Sequence, residues 1–266
     1  MENVLLFERD GSVARLILNR PESGNALNMD MARALMNAAI ECDADDSVRC
    51  VLLTAKGGLF CAGGDVAEFS KQEDALQAFL KEISGYLHLA ISRFMRMSKP
   101  VVTAVNGPAA GAGIGLAAFA DIVLVDPGAH FTSAYTGLGL SPDGATTWLL
   151  PRLIGLRHTQ EFLLRNRRMS ADEAAALGLV TRVIKPPLIL QDEAAALAHE
   201  LAHSATAALG QTRRLLLDSF STQVETQMEL ESRAISSLAP TGEAQAGLAA
   251  FVKGQRSENK KRNQHG

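Results

Sequence analysis

Val101 to Val125 reads "VVTAVNGPAAGAGIGLAAFADIVLV", and Asp121 is its only charged side chain. Two folds compete for these letters. Pro100 to Ala120 carries no charge, and Gly107, Gly111 and Gly115 repeat the GxxxG spacing that packs helices inside bilayers. Against that, Asn106, Pro108 and the glycines interrupt a span that in lipid must satisfy every backbone group internally. The same letters suit a buried strand "VVTAV", a tight glycine loop, a buried helix starting near Gly113, and a second buried strand in "DIVLV". Strands joined through helices make this an α/β protein.

The segments on either side agree. Leu5 to Leu18 alternates around Asp10-Gly11, the signal of a two-residue type I′ hairpin. Asn28 is placed to cap a helix whose apolar positions Ala32, Leu35, Met36, Ala39 and Ile40 recur at helical spacing. "CVLLTA" (Cys50 to Ala55) reads as a buried strand ending before Gly57-Gly58. Leu76, Phe79, Leu80, Ile83, Leu87 and Phe94 mark a long helix that stops before Lys99-Pro100. Further on, Ser170 and Glu173 have capping-box spacing for a short helix ending at Gly178, and Val180 to Ile184 reads as the last strand. After Pro186-Pro187 only helical periodicity survives, through "LILQDEAAALAHELA", "TRRLLLDSF" and "TGEAQAGLAAFV". The expected division is a strand-rich core over 1–190 and a helical region over 191–266. The apolar faces of that region suit packing on partner subunits or back on the core.

Composition excludes several classes of function. With 266 residues, 47% of them hydrophobic, the chain can bury a full core. A net charge of −3 and a pI near 6.1 leave no electrostatic footprint for nucleic acid or an anionic membrane. The one basic run, Lys253 to Arg262, reads as a solvated tail or as a local contact to an anionic ligand. Cys42, Cys50 and Cys61 lack CxxC spacing and come in odd number, so neither a zinc site nor a disulfide framework is expected. His130, His158, His199 and His203 have no carboxylate at metal-ligand spacing, and no metal is expected. The first residues show no secretory signal pattern and the last no peroxisomal tripeptide, so the expected location is cytoplasmic.

The chemistry must then come from the glycine turns. "FCAGGDVAEF" (Phe60 to Phe69) repeats the design of the opening stretch: a strand runs through small residues into a helix, with Asp65 and Glu68 spaced as N-cap and N3 partner. Backbone N–H groups exposed at such a helix start suit a negatively charged oxygen. The dinucleotide fingerprint GxGxxG is absent, because "GAGIGL" breaks the spacing at Leu116. Two such turns suggest two N–H donors converging on one oxyanion.

These turns belong to a wider pattern. "LNRPESGNAL" (Leu18 to Leu27), "FCAGGDVAEF", "KPVVTAVNGPAAGAGIGLAAFADIVL", "LPRLIG" (Leu150 to Gly155) and "RMSADEAAALGLVTRVI" (Arg168 to Ile184) together resemble the crotonase superfamily, the enoyl-CoA hydratase/isomerase family, over nearly the whole chain. The resemblance implies an α/β crotonase (ClpP-like) fold of ββα spiral repeats with a C-terminal helical trimerisation region, assembled as homotrimers or dimers of trimers. It implies an acyl-CoA thioester substrate, with coenzyme A part of that substrate and no separate cofactor. It places the two oxyanion donors on the backbone N–H groups of Gly64 and Ala112, and the coenzyme A groove along Ala62, Gly63, Asp65, Val66 and Gly111. For Asp65 a plain N-cap is the competing reading.

Two departures bear on the reaction. Family hydratases carry two glutamates, and their positions here are Gly115 and Tyr135. Water addition needs placed proton-transfer groups, each worth about 10²–10⁴ in rate, so hydratase activity is disfavoured. "GLGLSPDGATTW" instead supplies Asp143, at a position similar to that of the single aspartate of family isomerases, which moves a proton between the α and γ carbons of an enoyl-CoA. Leu138, Leu140 and Trp148 are expected to desolvate it, and its competing reading is a turn or N-cap aspartate. Tyr135 is expected as a wall of the substrate pocket, its competing readings being a hydroxyl turned toward the acyl group and a direct part in proton transfer. Family dehalogenases use this aspartate as a nucleophile with a histidine base, whose position here holds Ser92, while His88 lies one helical turn away. A thioester hydrolase and a non-catalytic acyl-CoA binder also stay open. Phe69, Phe79, Leu80 and Leu87 are expected to border the acyl tunnel.

Overall fold

Alternation along each strand decides which layer covers which face. The computed structural model describes residues 3–262, with side chains as far as Lys253, so the basic run from Lys253 to Arg262 lies, beyond its first residue, outside the described side chains. Strands β1 (Leu5–Asp10) and β2 (Val13–Leu18) form the expected hairpin, paired from Leu5 opposite Leu18 to Asp10 opposite Val13. Its loop is Gly11-Ser12, one residue later than the sequence signal. Of the two only Gly11 (φ +58°) has positive φ, which matches type II′ and not the expected type I′.

Helix α1 (Met29–Ala44) starts where the Asn28 side chain accepts a hydrogen bond from the Met31 N–H at 2.9 Å. Its last carbonyls are capped from a distance: Lys99 Nζ donates to Cys42 O at 2.5 Å and to Asp43 O at 3.0 Å. Then follow β3 (Cys50–Ala55), the one-turn α2 (Val66–Phe69), the long α3 (Leu76–Arg96), β4 (Val101–Val105), β5 (Ala109–Ala110) and α4 (Ala112–Ala118). After β6 (Ile122–Val125) and β7 (His130–Thr132) come α5 (Thr146–Leu153), α6 (Gly155–Arg165), β8 (Arg168–Ser170), α7 (Ala171–Leu177) and β9 (Arg182–Val183). The opening stretch is therefore strand, turn, helix, strand. Among the described residues no helix is long and apolar enough to cross a membrane.

Two local expectations hold only in part. Ser170 Oγ accepts the Glu173 N–H at 3.2 Å, but the Glu173 carboxylate turns to Arg167 at 2.7 Å, so half of the capping box forms. The last strand is confined to Arg182–Val183, because Val180 and Leu179 turn into the core directly behind the Gly178 helix cap.

The main sheet runs β1-β2-β3-β4-β6-β9, parallel from β2 onward, and a second sheet runs β5-β7-β8. Successive repeats feed both sheets. β4 is followed by β5 and β6 by β7, and after β3 the chain bridges in parallel at Cys61 to Ala109, as it does at Gly64 to Leu27. Val51, Leu53, Val101, Val105 and Val125 face one core with α1, α3 and α4, while Cys50, Leu52, Val102, Ala104 and Leu124 face the other way.

That second face explains a correction. The expected core ended at residue 190, yet the first compact unit extends from Met1 to His203. Helix α8 (Leu190–His203) is part of it: Leu190, Ala194, Ala198 and Ala202 recur every fourth residue and pack on the second face of the sheet. A parallel sheet needs both faces covered, and small alanines let the helix approach closely. Ser204–Gly266 forms the second unit, with α9 (Thr206–Asp218), α10 (Val224–Leu238) and α11 (Gly242–Arg262). Within it Gln227 fastens α10 to α9, donating to Leu215 O at 2.9 Å and accepting from Thr222 Oγ1 at 2.7 Å.

Candidate active site

The first glycine turn is built as a stray rung of sheet. Leu27 donates to Gly63 O at 2.7 Å and accepts from the Asp65 N–H at 2.9 Å, so both bonds of this parallel bridge go to the neighbours of Gly64. The Gly64 N–H therefore points away from Leu27, toward the cavity it lines, and has no acceptor among the described residues. The second turn leaves an N–H free for a different reason. Gly111 (φ +52°) gives its N–H to Thr132 O at 3.1 Å, and Ala112 opens α4, where the first N–H groups have no intrahelical partner.

Backbone packs on backbone here, which is why side chains are missing. A Cβ at Gly63 (φ +91°) would sit 2.8 Å from Ala110 O, and one at Gly113 would sit 2.5 Å from Cys61 O. The Phe69 ring lies over Gly64, where an added Cβ would come 2.5 Å from its Cζ. Cys61 is not a nucleophile in reserve: complete burial pushes its thiol up to about 12.

A cavity of about 250 Å³ opens where the two turns meet. Ala62, Gly63, Gly64, Val66, Gly111, Ala112, Tyr135 and Asp143 all line it. Its walls are otherwise mostly apolar, formed by Leu27, Ala32, Phe69, Leu80, Ile83, Leu87, Leu138 and Leu140. Phe79 stands behind them, edge-on to Phe69 with ring centres 5.9 Å apart. Ala32 and Ile83 escaped the sequence reading because helical periodicity marks them as ordinary core, and Leu27 because a single bridging residue carries no period.

Asp65 is the one expected groove residue outside the lining. Its carboxylate caps α2 through the Glu68 N–H at 3.1 Å and pairs with Arg20 at 2.9 Å, with both side chains largely buried. Burial alone would raise this carboxyl, but the hydrogen bonds from Arg20 and the Glu68 N–H outweigh it and hold the group below its ordinary value. Arg20 also donates to Ala26 O at 2.5 Å, and fully buried Asn25 donates to Lys56 O and Leu59 O, each at 2.8 Å. Arg20 and Asn25 thus pin the first turn, and neither carries a sequence signal beyond its place in "NRPESGNAL".

Asp143 does not cap the helix that follows. Helix α5 begins at Thr146 behind Ala145, without a side-chain cap. The Asp143 carboxylate instead accepts the Tyr135 hydroxyl at 2.6 Å, so Tyr135 is more than a wall. Burial first, and then the charge of Asp143, push the Tyr135 phenol above its ordinary value, so it stays protonated. The next N–H, at Gly144, donates to His88 Nε2 at 3.1 Å, which brings α3 to the aspartate loop. Trp148 does not line the cavity; the Arg152 guanidinium stacks on its ring at 4.2 Å. At Gly115, a Cβ would run into the Gly144 carbonyl, so any side chain at that position has to displace the Asp143 loop. Among the described residues no group of three metal-ligating side chains occurs.

Known proteins are similar to this chain over most of its length. A family model for enoyl-CoA hydratase/isomerase matches residues 8–262. The chain is 33% identical over 253 residues to 1,2-epoxyphenylacetyl-CoA isomerase of Escherichia coli (strain K12), covering 95% of this chain and 96% of the other. It is 31% identical over 225 residues to 4-chlorobenzoyl coenzyme A dehalogenase-2 of an Arthrobacter species, covering 84% and 81%. Among solved structures, an enoyl-CoA hydratase of Mycobacterium smegmatis superposes with a TM-score of 0.88 at 30% identity, over 95% of this chain and 97% of that one.

Proposed function

The chain belongs to the enoyl-CoA hydratase/isomerase family and has the crotonase fold, and from that premise we propose that it is an enoyl-CoA isomerase. The single observation that supports this reading best is the lone carboxylate of Asp143 lining the same cavity as the two unspent N–H groups of Gly64 and Ala112. In this reading those N–H groups hold the thioester oxygen as it becomes an enolate, each worth about 10²–10³ in rate. Asp143 removes a proton from the α or γ carbon and returns it to the other end of the same dienolate, so nothing is consumed. The apolar walls exclude water and take the acyl chain, while Ala62, Gly63, Val66 and Gly111 border the pantetheine. The reaction uses no cofactor beyond the coenzyme A of its substrate.

Hydration is disfavoured on structural grounds as well. Of the two positions where the family's hydratases hold glutamates, Gly115 faces the Gly144 carbonyl and Tyr135 is bonded to Asp143. A second reading, attack by Asp143 on an aryl-CoA ring, draws support from the dehalogenase relative and from His88 beside the aspartate loop. It ranks lower because His88 Nε2 is already engaged by the Gly144 N–H. We also propose that the apolar side chains exposed on α9 to α11 are buried in a homotrimer or a dimer of trimers.

The test is a screen of enoyl-CoA esters of several chain lengths, and of ring-containing CoA esters, for double-bond migration and for deuterium exchange at the α and γ carbons. Migration is expected, falling at least about 10²-fold in Asp143→Asn. Hydrated product, free-thiol release, halide release or binding without exchange would each overturn the isomerase reading.

A further inference from the structure

We propose that Tyr135 is a positioning residue for Asp143, holding one carboxylate oxygen so that the other alone carries the proton. The inference rests on Asp143 being the base and goes beyond it. Tyr135 Oη donates to Asp143 Oδ1 at 2.6 Å, the separation of a strong hydrogen bond to a charged acceptor. Oδ2 has no hydrogen-bond partner among the described residues, and Asp143 lines the acyl cavity. A carboxylate free to rotate presents either oxygen and several directions. One tied at Oδ1 presents Oδ2 in one direction, which is what a proton shift between two carbons of a bound chain requires.

The backbone around the pair is held in conformations that L-residues rarely adopt. Ala134 (φ +62°) precedes Tyr135, and Gly144 (φ +59°) and Ala145 (φ +62°) follow Asp143. In alanine such a conformation persists only where the surroundings impose it, and here the backbone beside both residues of the pair is anchored. Asn166 Oδ1 accepts the Ala134 N–H, His88 Nε2 accepts the Gly144 N–H, and Thr146 Oγ1 donates to Asp143 O at 2.8 Å. Strain on both sides of one hydrogen bond, fastened from two other segments and by Thr146 within the loop itself, is the arrangement of a side-chain pair whose geometry matters. The phenol stays protonated because burial and the adjacent charge raise its pKa, so it remains a donor across the working range.

Two measurements test this. Tyr135→Phe keeps the ring and removes the donor; kcat per folded enzyme, with the folded fraction set by circular dichroism, is expected to fall about tenfold or more with KM changed less than about threefold, a split that loss of binding does not produce. Separately, the chain has only two tyrosines, so biosynthetic 3-fluorotyrosine in a Tyr86→Phe background labels position 135 alone. Its fluorine resonance is expected to shift on Asp143→Asn, and this holds whether or not Tyr135→Phe folds well. Wild-type kcat in Tyr135→Phe, or an unshifted resonance, overturns the positioning role. If Asp143→Asn stays active, it is the base assignment that fails.

Discussion

At the scale of single residues, the site depends on atoms that are absent. Gly115 stands where a family hydratase would place a glutamate, and the Gly144 carbonyl fills the space a side chain would need. Gly115→Ala is therefore expected to push the Asp143 loop. The added methyl meets backbone, which cannot rotate away, so stability should fall by about 1–3 kcal/mol and kcat by about tenfold or more. Denaturant midpoints and steady-state rates check this; a Gly115→Ala enzyme with unchanged kcat would show that the loop position is unimportant. The absent carboxylates and the presence of Asp143 were legible in the sequence, because residue identity at a family position needs no coordinates. The partner of Asp143 was not. Tyr135 lies eight positions earlier, and only the turn through Gly139 (φ +71°) folds it back onto the aspartate.

At the scale of elements, periodicity and caps located most segments. Asn28 and Ser170 cap the helices their spacing marked, Gly178 ends one in the left-handed conformation, and "VVTAV" and "DIVLV" are strands. Signals that act within four residues are readable in this way. The three short strands of the second sheet were not read, since two or three residues carry no period. Long-range caps are equally silent. Lys99 follows a helix and precedes a proline, yet its ammonium closes the C-terminus of α1, far earlier in the chain. Lys99→Met keeps much of the side-chain volume and leaves those carbonyls buried without a donor. A loss of about 1–3 kcal/mol is expected in urea unfolding, and an unchanged midpoint would remove Lys99 as a cap.

At the scale of the whole molecule, the last three helices leave several large apolar side chains in solvent. Leu216, Val224, Met228, Ile235, Leu248 and Phe251 are all exposed, Ile235 at 73%. A single chain has no use for such a surface. Light scattering is expected to return a multiple of the 28.3 kDa chain mass, and Ile235→Glu with Leu248→Glu to lower it. A wild-type protein at monomer mass would refute the assembly. The division of the chain shows the limit of reading composition. The change after Pro186-Pro187 from mixed to helical pattern is real, but α8 belongs with the sheet, because only a folded sheet reveals a second apolar face in need of cover. By itself the sequence determined what is local or chemical: the strand and helix periods, the two small-residue turns, the missing glutamates and the solitary aspartate. Tertiary structure alone decided which N–H groups remain unspent, which hydroxyl ties the aspartate, and where the first unit ends. Those depend on contacts between segments far apart in the chain, and the pattern within a segment does not encode its partner.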